Sequence, residues 1–262
     1  MFPSERQIGM IFDLQKASVL KRISAFILDA ILICIVATGF AVVLSEITSY
    51  DSHSDRLEQY YAEYEQEYGV KFRMSEKEAT AMTEEEKEQY KKAYDALIAD
   101  KEAMSEYNKV INLALLITSV SILLAYAAME FAVPLFLKNG QTVGKKVFGL
   151  GVIREDGVRM NNIMLFVRTF LGKYTLETMI PVYIILMILF NSIGSIGLIV
   201  LGAELLLQII LFFAKKTRPF VHDILAGTVV VDMASQMIFA SEEEMVEYKK
   251  RVSAERASRS PY

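Results

Sequence analysis

Apolar positions along this chain gather into long runs separated by charged stretches, and four runs are long enough to cross a bilayer as helices. They cover residues 23 to 45, 110 to 137, 176 to 192 and 194 to 213, the third being short and interrupted by Pro181. Between the first two runs the pattern changes. In residues 46 to 109, Leu57, Tyr60, Tyr61, Tyr64 and Tyr68 recur at helical spacing, as do Tyr90, Tyr94, Leu97, Ile98, Met104 and Tyr107. This predicts two helices broken at Gly69. Ser75 with Glu78 and Thr83 with Glu86 have capping-box spacing, so the second helix is expected to start near one of them and run into the second span. Residues 1 to 15 show no pattern that assigns them.

The loop at 138 to 175 reads as several short elements. Gly140 permits a turn, Thr142 caps a short helix through Lys146, Gly149 ends it, and Gly151 to Ile153 form a strand closed by Glu155, Asp156 and Gly157. Residues 162 to 175 read as an interfacial helix with Arg168 and Lys173 turned toward headgroups. After the fourth span Pro219 stops the helix, Gly227 turns the chain, and Thr228 to Val231 suit a strand expected to pair with Gly151 to Ile153. Ser241 and Glu244 cap a last polar helix that leads into a basic tail. The fold class expected is an all-α polytopic membrane protein. It has about four transmembrane helices, one interfacial helix, an extracytoplasmic helical hairpin and a small cytoplasmic two-stranded β element.

Charge adds an orientation. Lys+Arg against Asp+Glu runs 4 to 2 for residues 1 to 22, 9 to 17 for 46 to 109, 7 to 2 for 138 to 175 and 8 to 7 for 215 to 262. The basic excess alternates between sides, with Lys215, Lys216 and Arg218 abutting the fourth span. The segments are then a cytoplasmic N-terminus (1–22), the first span (23–45), an extracytoplasmic insertion (46–109), the second span (110–137) and a cytoplasmic loop (138–175). The third span (176–192), the fourth span (194–213), a cytoplasmic strand segment (214–232) and a tail (233–262) follow. The expected location is the plasma membrane with both termini cytoplasmic. The composition, 53% hydrophobic and 23% charged, excludes a single soluble core once the apolar residues are seen to cluster. The first run is too long for a signal-peptide core and lacks a small-x-small cleavage site, so it is expected to stay. Cys34 is the only cysteine, which excludes an intramolecular disulfide.

The candidate chemistry is carboxylates inside apolar runs. Asp29 lies in the first, at a cost of roughly 2.5 to 3.5 kcal/mol if ionised and alone. Arg22, seven residues earlier, shares nearly the same helical face about 10 Å away. Glu130 lies at a similar depth in the second span: either it shares a cation or proton with Asp29, or it reaches the interface or bonds a neighbouring cation. Glu204, with Gln208 one turn on, is either a proton carrier or a neutral acid bonded across helices. Glu177 reads as interfacial. Arg168 reads as an anchor, with gate or lipid contact as the other reading. His222 beside Asp223 is either a relay or a structural hydrogen bond, and Asp223 is expected to approach Arg22. GQTVGKK lacks the spacing of a phosphate loop. No cofactor, metal site or nucleic-acid partner is expected.

Taken in order, these residues resemble the RDD family. Arg22, Ala25 and Asp29 match its first-span pattern, and Gly140-Gln141-Thr142 would correspond through the GQT that precedes Gly144 and Lys145, with Val152 and Gly157 after it. Arg168 fits the later arginine, and His222-Asp223, Ala226-Gly227-Thr228 and Val230 match the closing motif. The resemblance covers about residues 17 to 232. The long insertion and Glu204 are not family features. It implies either transport of a small ligand or monovalent cation, of sodium/proton exchange type, or a non-transporting adaptor role. In the transport reading Asp29 is the ion or proton site, Glu130 and Glu204 are auxiliary carboxylates, and Arg22 competes as an internal cation, with a homodimer needed to enclose a path. In the adaptor reading Arg22, Asp29 and Asp223 are a structural lock and residues 46 to 109 bind a partner protein. An enzyme is not expected, for no Ser-Lys, paired-aspartate or His-Glu-x-x-His pattern lies in the spans.

Overall fold

The computed structural model describes residues 14, 17–189, 194–214 and 219–259. Most of the lead-in at 1 to 15, the end of the third run, and the basic trio Lys215, Lys216 and Arg218 lie outside the described residues. Four helices have the length and apolarity of membrane spans: α1 (Val19–Thr48), α5 (Lys101–Leu137), α7 (Asn162–Ile188) and α8 (Gly194–Ala214). Their outward side chains, among them Phe26, Ile35, Ile199 and Phe213, are apolar and exposed, a surface matched to lipid. The chain divides into two compact units, residues 38–121 and the remainder, with the division falling inside α1 and α5.

The insertion unit contains α2 (Tyr50–Tyr68), α3 (Glu76–Ala81) and α4 (Glu84–Ala99). Gly69, at φ 66°, closes α2. Both capping boxes form, Ser75 with Glu78 opening α3 and Thr83 with Glu86 opening α4. The second helix does not run unbroken into the span. Asp100 turns extended there, and its carboxylate accepts the N–H groups of Glu102 (2.8 Å) and Ala103 (3.2 Å) to start α5 afresh. Across the helices Tyr60 donates to Glu102 at 3.2 Å, Tyr64 donates to Asp100 at 3.1 Å, and His53 meets Glu106 at 2.6 Å. Leu57, Ala93, Leu97 and Ala103 are buried between them.

In the other unit Thr142 caps α6 (Val143–Val147) by accepting the Lys145 N–H at 3.3 Å. Strand β1 (Leu150–Arg154) pairs antiparallel with β2 (Thr228–Asp232), in register Leu150 to Asp232, Val152 to Val230 and Arg154 to Thr228. Alternation sends Leu150, Val152 and Val230 against Ala17 and Ala25, and sends Ile153, Val229 and Val231 against Leu14 and Ile238. Both faces are therefore covered. Between the strands lie α7, α8 and the short α9 (Val221–Ala226); α10 (Glu242–Arg259) follows, with Ser241 accepting the Glu244 N–H.

The interfacial helix and third span expected as separate pieces are one helix. It runs as α-helix over Asn162–Phe166, as π-helix over Val167–Met179, and as α-helix again over Ile180–Leu189. Pro181 fails to break it because it stands in the first turn of the last α-helical stretch, just after wide turns in which the Ile180 N–H bonds five residues back to Thr175. The same device recurs in α5, where a π-helical stretch at Ala127–Ala132 precedes Pro134.

Truncating Ile153, which is fully buried, to alanine should destabilise the ribbon by about 2 to 5 kcal/mol, read as a lowered melting temperature in detergent. Amides of Gly151, Ile153, Val229 and Val231 should exchange among the slowest in the chain.

Candidate functional site

Buried charge collects where α1, α5, α6, α7 and α9 meet the ribbon. Asp29, placed by α1 and 6% exposed, accepts hydrogen bonds from the Thr142 hydroxyl and from the Gly144 N–H (2.7 Å), with the Lys145 ammonium at 3.7 Å. The short helix α6 delivers all three donors. Gly144 is required by the close approach: a Cβ there would stand 2.3 Å from the Ala25 carbonyl oxygen and 2.9 Å from the Asp29 carboxyl carbon. Lys145, itself buried, also bonds the Thr142 hydroxyl at 3.2 Å. Burial pushes its ammonium down to about 8 and Lys173 adds to the push, while Glu130 and Asp29 pull the other way. Glu130 in turn pairs with Lys173 at 2.6 Å, and its backbone carbonyl accepts the Thr169 hydroxyl at 2.9 Å. Lys145 is the cation that both acids sense.

The second half of the cluster centres on Asp223. Arg168 donates one guanidinium nitrogen to the Asp223 carboxylate and to the Thr228 hydroxyl (2.6 Å), both acceptors being buried. Arg22 approaches the other carboxylate oxygen at 3.7 Å, with its guanidinium over the rings of Phe220 (5.4 Å) and Phe212 (5.9 Å). The same oxygen accepts the Phe220 N–H at 3.1 Å and so opens α9. Burial works to raise the Asp223 carboxyl, but the charges of Arg168 and Arg22 and the Phe220 N–H overcome it and hold the group far below the usual range. That pairing stabilises the fold above the ordinary carboxylate range and is lost as acid protonates the group.

His222 turns the other way. Its Nδ1 lies 2.6 Å from Glu177 and its N–H donates to the same carboxylate at 3.0 Å, while Gln208 of α8 donates to Glu177 at 3.1 Å. Burial holds the imidazole below its ordinary value against the pull of Asp223 and Glu177, so it is neutral at pH 7. Gly172 backs onto it, and a Cβ at 172 would stand 2.5 Å from the His222 Cβ. Glu204 is half-buried midway along α8 and makes no hydrogen bond or ion pair among the described residues, although it senses the charge of Glu177.

The structure thus corrects several expectations. Arg22 reaches Asp223 as the sequence suggested, but Asp29 is not part of that pair; its partners come from α6. Of the two readings of Glu130 the structure supports the bond to a neighbouring cation, Lys173, over a direct pairing with Asp29. Arg168 and Lys173 turn inward instead of anchoring to headgroups, and Glu177 bonds His222 instead of lying at the interface. For Arg168, Lys173 and Glu177 the reason is the π-helical stretch that holds all three. Nine residues are about 2.5 turns of α-helix, which would set Arg168 and Glu177 on opposite sides, but about two of the wider π turns, which brings both onto the face that meets α9. Thr142 was expected as a helix cap, which it is, and Lys145 as part of the Gly-Lys motif, but neither was expected to meet Asp29. Among the described residues no three His, Cys, Asp or Glu side chains gather as a metal site requires.

Replacing Arg168 with alanine should leave Asp223 buried with a weaker partner and cost about 3 to 5 kcal/mol, seen as loss of monodisperse protein on size exclusion. Gly144→Ala and Gly172→Ala should both produce severe losses, because backbone blocks the added methyl at each, the Ala25 carbonyl oxygen at 2.3 Å and the His222 Cα at 2.7 Å.

No curated protein and no solved structure matches the chain. The model of the RDD family does, over residues 16–227, a range that takes in both halves of the buried charge cluster. The chain belongs to the RDD family and is a membrane protein with four apolar helices of spanning length.

Proposed function

We propose that the chain is a carrier, not an enzyme, that exchanges a monovalent cation for a proton at the Asp29–Lys145–Glu130 cluster. The observation that carries this reading is Lys145, a buried ammonium that faces Asp29 and Glu130 and whose affinity for its proton is reduced to about 8. Counting the paired groups, Arg22, Lys145, Arg168 and Lys173 balance Asp29, Glu130, Glu177 and Asp223, with His222 neutral. When Lys145 gives up its proton the cluster is one positive charge short. A monovalent cation taken up by the Asp29 carboxylate and the Thr142 hydroxyl restores the balance, and its departure lets Lys145 regain a proton. Exchange is then one for one, since holding both cations or neither leaves a buried net charge. The proposed setting is the plasma membrane with both termini cytoplasmic and two copies of the chain enclosing the path, Glu204 serving as an auxiliary carboxylate.

A second reading, an adaptor whose insertion unit binds a partner while the charge cluster only locks the fold, is favoured by the pairing of Asp29, Glu130 and Asp223 with Lys145, Lys173 and Arg168, which leaves none of these three acids unmatched. Two variants separate the readings. Asp29→Asn should abolish sodium uptake into proteoliposomes driven by an imposed pH gradient, whereas deletion of residues 52 to 105 should leave uptake within about twofold. The absence of flux from folded wild-type protein with sodium, potassium and lithium would discard the carrier reading.

The pH dependence has a definite sign. Below about 8 the Lys145 ammonium competes with the cation, so apparent affinity should weaken about tenfold per pH unit on descending from 8. Lys145→Gln should flatten that profile between pH 7 and 9, as measured by titrating the cation against thermal stability.

A further inference from the structure

The insertion unit holds a cleft of about 720 Å³ that has no part in the charge cluster, and its walls are unusually rich in rings. Tyr61, Phe72 and Tyr90 form a chain of tilted and edge-on contacts at 5.8 Å, Tyr90 stacks on Tyr94 at 6.4 Å, and Tyr107 completes the lining with Leu57, Leu97 and Ile98. A volume of this size, walled by rings and aliphatic side chains with Glu58, Glu65, Lys71 and Arg73 among them, is that of a small-molecule site, and it is too small to be a protein interface. The Tyr61 hydroxyl lies within electrostatic reach of those of Tyr94 and Tyr107. None of the three has a hydrogen-bond partner among the described residues.

Two observations fix the sign of the ligand. Residues 46 to 109 carry 17 acids against 9 bases, a field that draws cations toward the cleft and repels anions. One cation already rests on the cleft wall. The Arg73 guanidinium lies 6.0 Å from the centre of the Tyr61 ring, with the Glu58 carboxylate as its counter-ion. Ring faces are negative and hold cations over them. Lys71, the other base of the lining, also borders the neighbouring depression beside Glu78, and within the cleft the two bases are balanced by two acids, Glu58 and Glu65.

We infer that the cleft between α2, α4 and the start of α5 is a binding site for a small organic cation with an apolar body, an ammonium or guanidinium compound seated against Tyr61, Tyr90, Tyr94 and Tyr107. The site belongs to the insertion unit alone and does not depend on ion exchange at Asp29.

The test uses the full chain in detergent and two probes that share a phenyl ring and carry opposite charge, benzyltrimethylammonium and benzoate, titrated by calorimetry with tyrosine fluorescence as a second readout. The chain has no tryptophan, so tyrosines report. The cation should saturate one site per chain, with benzoate at least about tenfold weaker. Tyr94→Ala, at a half-exposed position, should weaken the cation by about threefold to thirtyfold with the helical circular dichroism unchanged. Equal binding of both probes, tighter binding of benzoate, no binding of either, or cation affinity untouched by both Tyr94→Ala and Tyr61→Ala would each overturn the assignment. Asp29→Asn should bind the cation as wild type does, which keeps the result separate from the fate of the exchange reading.

Discussion

An ionised carboxylate taken from water into a protein interior costs several kcal/mol unless matched, and the pairing of Arg168 with Asp223 is where this chain meets that demand most completely. The pair fixes more than itself. Arg168 also bonds Thr228 and so ties α7 to the first residue of β2. Asp223 bonds the N–H of Phe220 and so begins α9, and draws Arg22 in from α1. Three segments far apart in the chain are thereby held to one carboxylate, and the ribbon follows because β2 starts only two residues after α9 ends.

The wide turns of α7 make the rest of the cluster possible. An ordinary helix over residues 167 to 179 would present either Arg168 or Glu177 to α9, not both. The π-helical stretch gives both, together with Gly172, whose missing side chain lets His222 lie against the helix. Lys173 falls toward Glu130 on α5, itself in a π-helical stretch. In both helices a proline follows in the first turn of the next α-helical stretch, and the wide turns before it bring polar side chains inward.

Much of the frame was legible in the residues. Uninterrupted apolar runs announced the spans, β-branched Thr228 to Val231 announced a strand, and Ser75, Thr83 and Thr142 announced their helices, because these signals are local. The site was legible only in part. Asp29 and Asp223 stood out as acids out of place, yet which cation each meets is decided by residues more than fifty positions away. Reading residues 162 to 192 with a period of 3.6 assigned Arg168, Lys173 and Glu177 to the surface, since nothing in the composition of that stretch marks a change of period. The proline was visible, but it was taken as a break.

The pairing of Asp29 with Thr142 spans 113 residues of chain. At a ribosomal pace of 5 to 20 residues per second, roughly 6 to 20 s separate the synthesis of the acid from that of its hydrogen-bond donors, and Arg22 waits longer still for Asp223. The first hydrophobic segment therefore leaves the ribosome carrying a solitary acid. Its acid can be matched only after residues 142 to 145 have been added, so the order of synthesis sets the earliest moment at which this segment can take its final surroundings.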